Sequence, residues 1–332
     1  MLSFIYRNGE CPLLHFREER LIIMEKKRVV VALGHAALGT VYKEQKKAVV
    51  NAAKAIADLV EDKYQVVITH SNAPQVGMVH TALTEFSRLD NQFTVAPLSV
   101  CSAMSQGYIG YDLQNAIRTE LLERGIFKTV STIITQVRVD PFDPAFSNPT
   151  KVIGRLMTKE EANAEEEKGN HVVEVEGGFR RVVAAPKPIE IYEIDAINAL
   201  LDANQVVIAC GGGGIPVLQQ GTSLKGASAL IEKDTIAARL ADQVNADALM
   251  FLTGVENVCL DFNKPGEQAL SSVSVEDIKD YAAQGHFEEH SMLPKVHASV
   301  EFVSAKPERK AVITNWEHAK AAMKEKTGTV IR

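Results

Sequence analysis

Val206-Val207-Ile208-Ala209-Cys210-Gly211-Gly212-Gly213-Gly214 is a continuous apolar run that empties into four glycines. Five apolar residues without alternation fit a strand covered on both faces, the habit of parallel sheets, whose neighbours are joined by crossovers. Glycine has no Cβ, so amides in such an exit can turn toward an oxyanion and approach it closely. A glycine-rich exit also serves simply as a turn, and these four residues alone leave both readings open.

Outward from that stretch, similar runs recur at Arg28 to Leu33, Gln65 to His70, Val130 to Val137, Ala248 to Leu252 and Lys310 to Thr314. Between them lie segments with apolar residues at three- and four-residue spacing: Gln45 to Val60, Met104 to Arg124, Ile194 to Ala203, Thr235 to Asn245, Val275 to Ala283 and Pro294 to Val303. Buried strands alternating with helices predict an α/β protein, a three-layer αβα sandwich around an open, mainly parallel sheet. In such sheets ligands bind beyond the carboxyl ends of the strands. Three of those ends carry Gly34-His35-Ala36-Ala37-Leu38-Gly39, His70-Ser71-Asn72-Ala73-Pro74-Gln75-Val76-Gly77 and the four glycines. Residues 140–188 break the rhythm with prolines, an acidic stretch and Arg180-Arg181, and read as a protruding excursion or lid.

Lysines at Glu232-Lys233-Asp234 and Ser291-Met292-Leu293-Pro294-Lys295 stand near predicted helix starts. A lysine is commonly solvated surface, but cations at such loops also suit phosphoryl transfer, whose transition state needs charge neutralisation more than a protein nucleophile.

The 332 residues are 46% hydrophobic and 23% charged, with formal net charge −6, and no block of like charge makes an electrostatic case for nucleic acid or an anionic membrane. Small molecules are the partners this composition favours. The cysteines Cys11, Cys101, Cys210 and Cys259 lack the paired spacing of a zinc site or a disulfide framework, which fits a reducing, cytoplasmic compartment. No apolar run approaches the roughly 20 residues a membrane span requires. Residues 1–23 lack a signal-peptide core and read as an extension outside the fold, ahead of a domain over 24–332.

Ser105-Gln106-Gly107-Tyr108-Ile109-Gly110-Tyr111, Asp143-Pro144-Ala145-Phe146, Asn148-Pro149-Thr150-Lys151, Arg180-Arg181-Val182-Val183, Gly211 to Val217 and Ser291 to Val296 occur in an order that resembles carbamate kinase, of the amino acid kinase family. The resemblance runs from Lys27 to Arg332. It implies reversible phosphoryl transfer between ATP and carbamate, a homodimer, ATP or ADP carried with Mg²⁺, and a protruding subdomain over the active site. Carried over by position, Lys151, Lys233 and Lys295 match lysines that neutralise phosphate, and Asp234 an aspartate that organises them. Gly211, Gly212, Gly213 and Gly214 match the phosphate-contacting loop, and Thr253, Met292 and Pro294 the nucleotide border. Gly34, His35, Asn72 and Gln75 fall in loops matching the substrate side, and no protein metal ligand is implied. For Gln106 to Tyr111, helix packing and a dimer contact are the expectation.

The chain departs from the family pattern at those substrate loops. Gly-Gly-Asn-Ala becomes Gly34-His35-Ala36-Ala37, and His-Gly-Asn-Gly-Pro-Gln becomes His70-Ser71-Asn72-Ala73-Pro74-Gln75. Milder changes are Val152 for proline, Ala185 for serine, Glu232 for aspartate and His290 for glycine. Had the replaced glycines held positive φ, each change would strain the backbone by roughly 1 kcal/mol or more. The departures leave two further readings beside a working carbamate kinase: a different small acceptor, or a non-catalytic relative that binds nucleotide.

Overall fold

The computed structural model describes residues 26–35, 38–39, 41–90 and 92–332. The expected extension at 1–23, and Ala36 and Ala37 of the first loop, lie outside the described residues. The described residues start with β1 (Arg28–Leu33), α1 (Tyr42–Glu61), β2 (Gln65–His70), α2 (Ala73–Leu89), α3 (Leu98–Glu123) and β3 (Val130–Thr132). Its middle holds β4 (Gln136–Val139), β5 (Lys151–Met157), α4 (Lys159–Glu167), β6 (His171–Val175), β7 (Gly178–Val183), β8 (Pro188–Ile191), α5 (Ile194–Asp202), β9 (Val206–Ile208), β10 (Ile215–Gln220) and β11 (Ser223–Gly226). Then come α6 (Lys233–Gln243), β12 (Ala248–Thr253), β13 (Val258–Leu260), β14 (Gln268–Leu270), β15 (Ser272–Val273), α7 (Val275–Ala283), α8 (Met292–Ser304), β16 (Lys310–Asn315), α9 (Ala319–Met323) and β17 (Thr329–Ile331).

The main sheet runs β15-β17-β16-β12-β1-β2-β9-β3 and is parallel from β16 to β3, with β17 antiparallel to β16. Strand alternation divides its side chains between two cores. Val30 and Ala32 pack with apolar residues of α5, α6 and α8, whereas Val29, Val31 and Leu33 pack with α1, α3 and α9. The result is a three-layer αβα sandwich. Its central strands are buried at every position from Val29 to Leu33 and from Ala248 to Thr253, which is why they read as unbroken apolar runs.

Several boundaries differ from the sequence expectation. The run Val130 to Val137 is two strands in two sheets: β3 closes the main sheet, and β4 joins a smaller sheet of order β11-β10-β4-β8. The break falls at Thr135, whose N–H donates to Gln106 Oε1 at 2.9 Å. The strand before the glycines stops at Ile208, because Cys210 takes left-handed φ of 53° and ends the ladder. α3 starts at Leu98 rather than Met104, just after Pro97, since proline closes a helix start where no N–H is needed. The second substrate loop is short: Asn72 is the N-cap of α2, so Gln75 to Gly77 are helical. Within residues 140–188, β5, β6 and β7 form a three-stranded antiparallel sheet in the order β5-β7-β6, accompanied by α4.

Among the described residues no helix is long and apolar enough to cross a membrane, and Cys101, Cys210 and Cys259 are free.

Candidate active site

A cleft of about 1190 Å³ opens beyond the carboxyl ends of β1, β2 and β12, walled on its far side by β5 and β7. Its cationic pole is built at two helix starts. Lys233 is the first residue of α6, and Lys295 lies in the first turn of α8, a helix that packs against α6. Cations are disfavoured at the positive end of a helix dipole, so local stability gives no reason for either lysine. The same helix ends favour an incoming anion.

Asp234 holds the two ammoniums. Its Oδ1 accepts from Lys233 Nζ and its Oδ2 from Lys295 Nζ at 3.2 Å, and the carboxylate is 5% exposed. Burial works against its charge, but the two lysines outweigh it and hold the carboxyl below its ordinary value. Burial is also the largest influence on Lys233, and with Lys295 it pushes that ammonium below the usual lysine range against the pull of Asp234. Lys295 also donates to Ser291 O at 2.9 Å, and Lys233 sits 5.5 Å from the centre of the Phe251 ring. A third cation crosses from the opposite wall: Lys151, the first residue of β5, pairs with Glu232 at 2.5 Å. The chain thus brings Lys151, Lys233, Lys295 and Asp234 into one cleft from segments 81 and 61 residues apart.

Gly34, His35, Thr253 and Met292 line the same space. Gly34 donates to Leu252 O at 3.0 Å, and a Cβ there would stand 3.0 Å from that oxygen, so the backbones approach closely. Thr253 Oγ1 accepts from Val255 N at 3.1 Å and donates to Val255 O at 2.9 Å, folding the turn after β12 back on itself.

Asn72, Gln75, Pro294 and the four glycines do not line the cleft. Asn72 Nδ2 donates to Ser105 Oγ at 2.8 Å, and separately Gln75 Nε2 donates to Gln45 Oε1 at 3.0 Å, in a chain that continues through Gln45 to the buried Asp112 and on to Lys46. The glycines are buried and tightly packed. A Cβ on Gly211 would meet His70 Nε2 at 2.3 Å, on Gly213 the Ile231 oxygen at 2.3 Å, and on Gly214 Val137 Cγ2 at 2.3 Å. Gln106 Nε2 pins the turn from α3 by donating to Gly211 O at 3.0 Å. Gly110, one turn on, lets that helix approach Thr132, whose Cγ2 would be 2.4 Å from a Cβ. Tyr111 is exposed.

Gly212 is the tightest point: its φ is +66°, and a Cβ would overlap the Asn72 amide at 1.8 Å. Gly212→Ala is expected to cost about 2–5 kcal/mol, combining left-handed strain with overpacking. Gly221→Ala, at φ +60° with no atom within 4 Å, should cost only about 1 kcal/mol. Chemical denaturation of the two variants checks the contrast, and equal losses would contradict it.

The strain foreseen for the substituted loops does not arise at the described positions. His35, Ser71 and Ala73 are absent from the non-glycine residues with positive φ, and Ala73 simply opens α2. The backbone accommodates these side chains in its ordinary conformations. Sequence reasoning also missed Arg155 and Arg180 as cleft residues, because their placement depends on the antiparallel pairing of β5 with β7.

His70, 1% exposed at the end of β2, has its Nδ1 3.0 Å from Ser71 O, and burial pushes its pKa down to about 4. The unfolded chain takes up a proton near pH 6.5 that the folded chain resists until about pH 4, so stability is full above the higher value and falls as pH drops toward the lower. The full loss amounts to about 3 kcal/mol, of which about 2 kcal/mol is reached by pH 5. Urea midpoints of wild type and His70→Gln at about pH 7.5 and pH 5 measure it, and equal acid losses would exclude His70 as the source.

A model of the amino acid kinase family matches residues 27–315, and the chain belongs to that family. Relatives within it bear the names carbamate kinase and carbamate kinase-like protein. The chain is 49% identical over 306 residues to the carbamate kinase-like protein YqeA of Escherichia coli, covering 92% of this chain and 99% of that protein. It is 46% identical over 311 residues to the carbamate kinase of Clostridium perfringens, again covering 92% and 99%. Among solved structures, carbamate kinase from Giardia lamblia bound to AMP-PNP superposes with a TM-score of 0.86 at 37% identity, covering 92% of this chain and 98% of that one.

Proposed function

We propose that this chain is a cytoplasmic carbamate kinase, an ATP-dependent phosphotransferase that moves a phosphoryl group between carbamoyl phosphate and ADP to give ATP and carbamate. The observation that carries the reading is the Lys233–Asp234–Lys295 cluster at two helix starts, with Lys151 facing it across the cleft. Relatives that share nearly the whole chain bear the name carbamate kinase, and the Giardia neighbour was solved with AMP-PNP, an ATP analogue.

Phosphoryl transfer asks little covalent chemistry of a protein and much electrostatics. Lys233 and Lys295 neutralise the migrating phosphate, and Asp234 keeps their ammoniums side by side. Lys151 exchanges Glu232 for phosphate oxygens when substrate arrives. Phe262, Phe287, Val255 and Met292 give the nucleotide end an apolar wall, and His35 stands at the acceptor end. Among the described residues no group of three or more His, Cys, Asp or Glu could hold a metal ion, and Asp234 already serves two lysines. Mg²⁺ therefore fits as a passenger on the nucleotide phosphates, where it supplies further charge neutralisation. A homodimer agrees with Val100, Met104, Gly107 and Tyr111, an exposed stripe along α3.

A different small acceptor is the second reading, favoured by His35 in the cleft wall where the family pattern has glycine. Assaying MgADP with carbamoyl phosphate and acetyl phosphate side by side separates the two. Preference for carbamoyl phosphate supports the first reading, and preference for acetyl phosphate overturns it. Restoring the pattern with His35→Gly and Ala36→Asn together is expected to raise carbamoyl phosphate turnover roughly 10-fold or more, because one charge-directed donor is commonly worth 10²–10³-fold. Unchanged kcat in the folded double variant would show that these positions do not limit the rate.

A further inference from the structure

Adjacent residues of a strand point to opposite faces, so Arg180 and Arg181 of β7 serve different spaces. Arg180 lines the main cleft and donates from Nη2 to Gly154 O at 2.6 Å. Arg181 faces a second cavity of about 420 Å³, open to solvent and bordered by α2, the end of α4 and the segment leading into α3.

The charges around this second cavity do not cancel. Arg181, Arg88 and Lys168 face it against one carboxylate, Glu165. Glu165 is already engaged by Lys168 Nζ and Asn170 Nδ2, each at 2.7 Å. Arg88 pairs outward with Glu85 at 2.7 Å on the exposed rim. Arg181 is left with a buried Nε that has no hydrogen-bond partner among the described residues, and with a long 3.5 Å approach of Nη1 to His80 Nε2. Burial, reinforced by the adjacent guanidinium, pushes His80 below its ordinary value, so the imidazole is neutral at pH 7 and offers a lone pair rather than a counter-charge.

The nearby Glu165 carboxylate supports the Arg181 charge, but the buried Nε–H stays without a partner among the described residues, whereas buried polar groups are ordinarily hydrogen-bonded. The planar fork of arginine matches the oxygens of a phosphate. The cavity is many times the roughly 30 Å³ of a water molecule, which leaves room for a small body beyond the phosphate. We propose that this cavity is a second ligand site, separate from the reaction cleft, that takes a small phosphorylated metabolite with its phosphate on Arg181 and its rim supplied by Lys168 and Arg88.

The test is calorimetric titration of inorganic phosphate, and then of glycerol phosphate, into the full chain kept saturated with MgADP. Wild type should bind both probes saturably, with glycerol phosphate the tighter. Arg181→Gln should weaken binding at least 10-fold, and Arg88→Ala, on an exposed side chain that folding does not depend on, several-fold. Arg88→Ala should also leave kcat for phosphoryl transfer unchanged. Absence of saturable binding to wild type would overturn the proposal, as would binding whose strength neither variant changes, because that phosphate would then lie in the main cleft. Should Arg181→Gln fail to fold, Arg88→Ala and Lys168→Ala together decide the matter by the same criterion.

Discussion

Lys233→Ala is expected to slow phosphoryl transfer by roughly 10²–10³-fold or more, the scale of losing one preorganised group that stabilises transition-state charge. The lysine is a cation at the positive end of α6, where local helix energetics oppose it, so its removal relieves a local penalty while stripping charge from the reaction cleft. From the sequence alone the thermal midpoint should barely change. Burial revises that expectation, because the Lys233 side chain is 12% exposed and bonded to a buried carboxylate. Lys295 remains on Asp234 in the variant, so the loss should stay near the low end of broken buried pairs, about 3 kcal/mol. Single-turnover rates and urea denaturation measure the two effects separately. Near wild-type chemistry in this variant would remove Lys233 from the mechanism.

Asp234→Ala should cost more stability than Lys233→Ala, about 3–5 kcal/mol, because it leaves two ammoniums close together in a buried place with only Glu232, already paired with Lys151, nearby. Activity should fall as well, since the lysines then repel and lose their common anchor. Asp234→Asn keeps the shape and one acceptor oxygen, so it should recover part of the stability while the rate stays low. If instead Asp234→Ala proved less destabilising than Lys233→Ala, the carboxylate would not be the element that makes the cluster tolerable. Denaturation curves for the three variants under one buffer decide this.

The central strands were legible because they are buried on both faces, and β1, β2, β12 and β16 fall within a residue or so of their apolar runs. What the sequence concealed were features set by non-local contacts. Val130 to Val137 looks like one strand, and only the hydrogen bond from Thr135 to Gln106 of α3 shows why the chain changes sheet there. α2 hid behind a loop-like composition, although Asn72 followed by Pro74 is a sound helix start. Lys233, Asp234 and Lys295 were legible from their position near helix starts and from family resemblance, but their shared contact joins segments 61 residues apart. The four glycines drew notice for their freedom to approach a ligand. Their surroundings also demand small residues, since His70, Asn72, Ile231 and Val137 occupy the space that side chains would need. Arg180 and Arg181 read as a pair in the sequence, and only the pairing of β7 between β5 and β6 separates them into two cavities.

The most direct test of the central claim is ATP formation from MgADP and carbamoyl phosphate by the purified chain, read against a no-enzyme control that corrects for spontaneous decay of carbamoyl phosphate. The account predicts robust turnover above that control and its collapse in Lys233→Ala. Absence of turnover in wild-type protein that binds MgADP would contradict it, and would leave a different acceptor or a non-catalytic role for the cleft.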